Sequence, residues 1–80
     1  MINTIDAMDE QAKYLVAKRY NTLEPVIKIY IVWKCKILQN WKYLLSTTLE
    51  DNRYYEATYD GDKHCWYLDT YEKIKNEKIE

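Results

Sequence analysis

Residues 27–48, IKIYIVWKCKILQNWKYLLSTT, hold two of the three tryptophans and the densest apolar content of the chain. From Lys28 to Ile37 the residues alternate. Ile29, Ile31, Trp33, Cys35 and Ile37 share one side, with Lys28, Tyr30, Val32, Lys34 and Lys36 on the other. Alternation with period two marks a strand with one buried face. Trp41, Tyr43, Leu45, Thr47 and Leu49 continue it on odd positions. A hairpin follows, and its register must keep paired residues on one face. A three-residue loop, Leu38-Gln39-Asn40, meets that condition by pairing Ile37 with Trp41, Cys35 with Tyr43 and Trp33 with Leu45. Asn40 suits the left-handed position closing such a loop. The register has one flaw, a like-charge pair of Lys36 and Lys42. A helix over 37–49 is the rival reading, disfavoured by Ser46-Thr47-Thr48.

Upstream, residues 3–22 predict an amphipathic helix. Ile5, Met8, Ala12, Val16, Tyr20 and Leu23 recur at three or four and Leu15 widens the stripe. Asn3 or Thr4 caps it, and Asp6, Asp9 and Glu10 suit its positive end. Lys13, Lys18 and Arg19 fall toward its negative end. Pro25 biases Glu24 away from helical backbone and stops the element. Downstream, residues 54–60 and 63–71 predict two more strands, with the sole glycine at the positive-φ position of a Gly61-Asp62 turn. That register sets Ala57 against Trp66 and Tyr55 against Leu68. It turns Tyr55, Ala57, Tyr59, Trp66 and Leu68 inward and Tyr54, Glu56, Thr58, Cys65, Tyr67, Asp69 and Tyr71 outward. The expected fold is α+β: one domain over 1–80, with the helix packed on a four-stranded antiparallel meander of strands 28–37, 41–48, 54–60 and 63–71.

Eighty residues suffice for one modest core. Twelve basic against thirteen acidic groups point to neither nucleic acid nor membrane. Their distribution is uneven, however: residues 25–49 carry four lysines and no acid, while residues 50–80 carry five basic and nine acidic groups. Such polarity suits a protein partner or head-to-tail self-association. Two cysteines without a leader pattern point to free thiols in a reducing compartment. The chain has no apolar run of about 18 residues, so a cytoplasmic protein is expected. Phenylalanine is absent against nine tyrosines, which favours aromatics that also donate a hydrogen bond.

Chemistry finds little footing. One histidine, one serine and one glycine build neither a phosphate loop nor a nucleophile with its base. Cys35, His64 and Cys65 lack ligand spacing, and Cys35 reads as a small buried apolar residue. The pairs Asp60/Asp62 and Glu50/Asp51 are ordinary turn residues. No catalytic residue, metal site or cofactor is therefore expected. Interleaved aromatic and basic residues admit a single-stranded nucleic-acid binder as the alternative. The preferred reading is a protein-contact face on the uncovered side of the sheet. There Tyr30, Tyr54, Tyr67 and Tyr71 would supply area, and Lys34, Lys36 and Lys42 electrostatic steering.

The stretches VWKCKILQNWKYLLSTTLED, YYEATYDGDK and YLDTYEKIKN, spread over Val32 to Asn76, resemble a family of small proteins from phages and prophages of Gram-positive bacteria. Cys65 and Trp66 depart from that pattern, where more polar residues are expected. The resemblance implies genomic context rather than chemistry: a small accessory protein in the host cytoplasm that binds and inhibits a host or bacterial-defence protein. A homodimer through the tyrosine face is a further expectation.

Overall fold

The computed structural model describes residues 4–20, 28–49 and 51–79. Helix α1 (Thr4–Ala17) precedes strands β1 (Ile29–Ile37), β2 (Asn40–Thr47), β3 (Arg53–Asp60) and β4 (Cys65–Glu72). The strands form one antiparallel sheet in the order β1-β2-β3-β4, the expected meander. Residues 40–47 are strand, so the helical reading of 37–49 is set aside.

Met8, Ala12 and Val16 of α1 are buried, with Leu15 and Tyr20 packed beside them. They meet Trp41, Tyr43 and Leu45 of β2 and Tyr55 and Ala57 of β3, so the core lies over the two central strands. The helix is shorter than expected. Arg19 and Tyr20 bond back to the carbonyls of Val16 and Ala17 at 2.9 and 3.1 Å, a tightening of the last turn that ends it. Lys18 and Arg19 thus lie just past the helix, still near its negative end. The Asn3 cap, stripe position Leu23 and the Pro25 stop lie outside the described residues.

Tyrosine serves this core because each buried phenol finds a partner. Tyr43 donates to Asp9 Oδ1 at 2.7 Å. Tyr20 donates to Asp51 Oδ2 at 3.1 Å, which leaves the Tyr55 hydroxyl, 2.7 Å from that of Tyr20, as donor to it. Burial and these acceptors push the Tyr43 and Tyr20 phenols far above their ordinary range, so both stay protonated donors. Trp66 donates to Gln11 Oε1 at 3.1 Å, a second polar tie between helix and sheet.

The first hairpin departs from expectation in a way that matters. Its loop has two residues, Leu38 and Gln39, with Ile37 opposite Asn40 and Lys36 opposite Trp41. A bulge between Ile31 and Trp33 leaves Val32 as an extra residue. Ile29 and Ile31 therefore face the helix, as Thr47 and Leu45 do, but beyond the bulge the parity reverses. Lys34 and Lys36 turn to the helix side, and Trp33, Cys35 and Ile37 turn outward. The expected pairings of Ile37 with Trp41, Cys35 with Tyr43 and Trp33 with Leu45 do not form. The Lys36–Lys42 clash disappears too, because the two lysines sit on opposite faces.

The left-handed residue of this loop is Leu38, at φ 56°, and not Asn40. Asn40 instead accepts from Gly61 N at 2.9 Å through its side chain. Leu38 is exposed and a β-carbon is strained at this φ, so Leu38→Gly should stabilise the protein by about 0.5–1 kcal/mol. Thermal unfolding checks this, and an unchanged or lowered Tm would show that the turn stores no such strain.

The β3–β4 loop, by contrast, is longer than expected. Asp60 pairs with Cys65 across four loop residues, Gly61 has no positive φ, and His64 takes the left-handed conformation at φ 53°. Asp60 Oδ1 organises the turn by accepting from Asp62 N and Lys63 N at 3.0 and 3.2 Å. Ala57 thereby pairs with Leu68 and Tyr55 with Thr70, not with Trp66 and Leu68. A slip of two residues preserves parity, so the expected inward and outward sets of β3 and β4 both hold.

Candidate interaction face

Helix α1 covers one side of the sheet. The other side carries no element among the described residues, and its composition follows from the bulge. Register places Trp33, Leu44, Glu56 and Asp69 in one row across the four strands. Cys35, Lys42, Thr58 and Tyr67 form the next row. Tyr30 pairs with Ser46, and Tyr54 with Tyr71, at one end of the sheet; Ile37 and Asn40 close the other.

Five of the seven residues expected to bind a partner come together here: Tyr30, Lys42, Tyr54, Tyr67 and Tyr71. Lys34 and Lys36 do not. Lys34 Nζ lies 2.8 Å from Asp9 Oδ2 on the helix side, and Lys36 Nζ sits 5.5 Å from the centre of the Trp41 ring. Both act within the fold, as an ion pair and a cation–π contact. The bulge supplies what sequence reasoning assigned to the core. Trp33 is 52% exposed and Ile37 65%, beside Val32 at 55%, Tyr30 at 48% and Tyr67 at 47%, which the sequence already placed outward. Cys35 is half-buried on this face rather than in the core. The signal was present in the sequence: the lysine clash, and the unbroken apolar run Ile31-Val32-Trp33 that interrupts strict alternation.

Side-chain contacts order the face. The Tyr54 and Tyr71 rings stack with centroids 5.0 Å apart. Lys42 Nζ bridges to Glu56 Oε1 at 3.1 Å across the central strands. A hydrogen bond with Cys65 raises the Tyr67 phenol above its ordinary value, and the Glu56 carboxylate raises that of Tyr71, so both remain neutral. Between β1 and β3 a shallow hollow of about 210 Å³ is lined by Cys35, Ile37, Asn40, Trp41, Lys42 and Thr58. Such a dish suits an inserted side chain rather than a small substrate.

Ser46 and His64 are not brought together: Ser46 pairs with Tyr30 near one end of the sheet, and His64 lies in the β3–β4 loop, 3.4 Å from the Tyr59 hydroxyl. Cys35 and Cys65 sit on opposite edge strands. Among the described residues no group of three His, Cys, Asp or Glu side chains is placed to hold a metal ion, and no helix is long and apolar enough to cross a membrane.

The architecture is that of a small α+β protein with one sheet face covered and one left open and aromatic. The chain belongs to the Family of unknown function (DUF6275), whose pattern it matches over residues 8–80. No curated protein and no solved structure matches it.

Proposed function

We propose that this chain is a non-enzymatic binding protein that engages a protein partner in fixed stoichiometry through its open sheet face. One observation carries the reading: Tyr30, Val32, Trp33, Ile37, Tyr67 and Tyr71 form a largely exposed apolar surface on one side of a single sheet. Exposed aromatic surface of this extent is characteristic of contact sites, and tryptophan and tyrosine dominate the energetics of such sites. The likeness of the strand motifs to small phage and prophage proteins supports a host or bacterial-defence protein as partner. Inhibition would follow from occlusion in the bacterial cytoplasm.

The single-stranded nucleic-acid reading is the weaker one. Lys34 and Lys36 lie on the helix side, and the open face carries Glu56 and Asp69, which would repel a phosphate chain.

Affinity capture from Gram-positive lysate, with and without nuclease, tests the proposal. The expected result is one nuclease-resistant protein at near-equal amount. Trp33→Ala and Tyr67→Ala should each weaken that complex by about tenfold or more, whereas Arg19→Ala, beyond the helix end, should leave it unchanged. Capture unaffected by both aromatic substitutions would place the contact elsewhere.

A further inference from the structure

Resting on the reading of the open face as a contact surface, we infer that its occupant in the isolated protein is a second copy of this chain, stacked sheet on sheet about a two-fold axis parallel to the strands. Charge selects both the occupant and the axis. The β1–β2 half of the face carries one cation, Lys42, among Tyr30, Val32, Trp33, Cys35, Ile37 and Leu44. The β3–β4 half carries Glu56, Asp69 and, beside the turn, Asp60 among tyrosines.

A two-fold axis along the strands lays β1 over the partner's β4 and β2 over the partner's β3. Each Lys42, bridged to Glu56 of its own chain at 3.1 Å, then also approaches the partner's Glu56 near the axis, so that the two ion pairs alternate in sign around it. The aromatic edge of one copy lies over the tyrosine edge of the other. An axis across the strands would instead set β3 on the partner's β3 and stack Glu56 and Asp69 against their own copies. Like charges so placed are strongly unfavourable. The strand-parallel axis also keeps the two strand directions close, as in aligned sheet packings about 10 Å apart.

Size agrees. Four strands of eight or nine residues present a face of roughly 500 Å² in projection, and more in accessible area once side chains corrugate it. That is of the order of the ~800 Å² per partner buried in stable complexes. A residue-to-residue match on both copies is what a closed two-fold interface requires. A foreign partner using this face would have to displace the second copy, so self-association would set its apparent affinity.

Charge exchange on the intact chain tests this. Light scattering should give the wild type twice the mass of the 9.8 kDa chain. Lys42→Glu and Glu56→Lys should each weaken dimerisation about tenfold or more, with circular dichroism unchanged. An equimolar mixture of the two should restore the dimer, because each copy then offers the charge the other lacks. A short bismaleimide should also join Cys35 to the partner's Cys65, which this axis brings to the same edge, giving a covalent dimer lost in Cys35→Ser. A monomeric wild type, or single variants that dimerise as well as wild type, would overturn the inference. If the wild type is monomeric and Trp33→Ala still abolishes partner capture, the contact-face reading stands and only the second copy falls. If neither aromatic substitution affects capture, both fall.

Discussion

Gly61→Ala is expected to destabilise the protein by about 2–3 kcal/mol, although its backbone conformation alone would favour the change. Gly61 has no positive φ, so alanine meets no left-handed strain there, and loss of glycine's unfolded-state freedom would ordinarily stabilise by about 0.4–1 kcal/mol. Contact reverses the sign. A β-carbon at Gly61 would stand 2.2 Å from the Gln39 carbonyl oxygen and 2.6 Å from its Cγ. The nearest obstacle is main chain and cannot swing away. Relief requires the β1–β2 and β3–β4 turns to part, breaking the Gly61 N bond to Asn40 Oδ1 and the Gln39–Asp62 contact. Chemical denaturation measures the effect. Equal or higher stability in Gly61→Ala would mean that the two turns are not packed together.

The second large effect centres on Asp9, and Asp9→Ala should cost about 2–3 kcal/mol. Its carboxylate accepts from the Tyr43 phenol at 2.7 Å and from Lys34 at 2.8 Å. Lys34 is partly solvated, so the ion pair itself contributes little. Most of the loss comes from leaving a fully buried phenol without an acceptor. Burial raises the Asp9 pKa, but the hydrogen bonds from Lys34 and Tyr43 and the charges of Lys34 and Lys13 outweigh it and hold the group below its ordinary 3.8. A depressed carboxyl stabilises the fold fully above the unfolded value, and that contribution is lost as pH falls through the lower folded value. Stability should therefore decline in acid below pH 3.8, and Asp9→Asn should flatten that part of the profile. An identical acid profile in Asp9→Asn would remove Asp9 from the account.

Much of this fold was legible because burial writes its period into the chain. Met8, Ala12 and Val16 recur at helical spacing, and Trp41, Tyr43 and Leu45 alternate at strand spacing; all six are buried. The β3–β4 loop was misjudged by two residues without consequence for facing, since side-chain direction repeats every second residue. A single extra residue in β1 had the opposite effect. Val32 shifted the remainder of its strand to the other face, so Trp33 and Ile37 passed from core to surface and Lys34 and Lys36 from surface to helix side. Alternation identifies which residues travel together but not which side is covered. That depends on the tertiary partner, here Asp9, which accepts a lysine on the inner face. The tyrosines of the open face were legible because β3 and β4 contain no bulge and Tyr30 precedes the one in β1. Trp33 was not, because its apolar character matches either side.

The same bulge also shapes the exposed edge of a sheet that has one uncovered face. β1 is an edge strand, and a straight edge beside an apolar face invites further strands to add in register. Val32 interrupts the run of free amide and carbonyl groups midway along that edge. Lys34 and Lys36 line its inner side and Lys28 precedes it, so an identical strand arriving there would meet like charge. The opposite edge carries Asp69 and Glu72. Pairing of like edges, β1 with β1 or β4 with β4, is thereby hindered, and the proposed dimer through the flat of the sheet would close after one step instead of propagating into fibres.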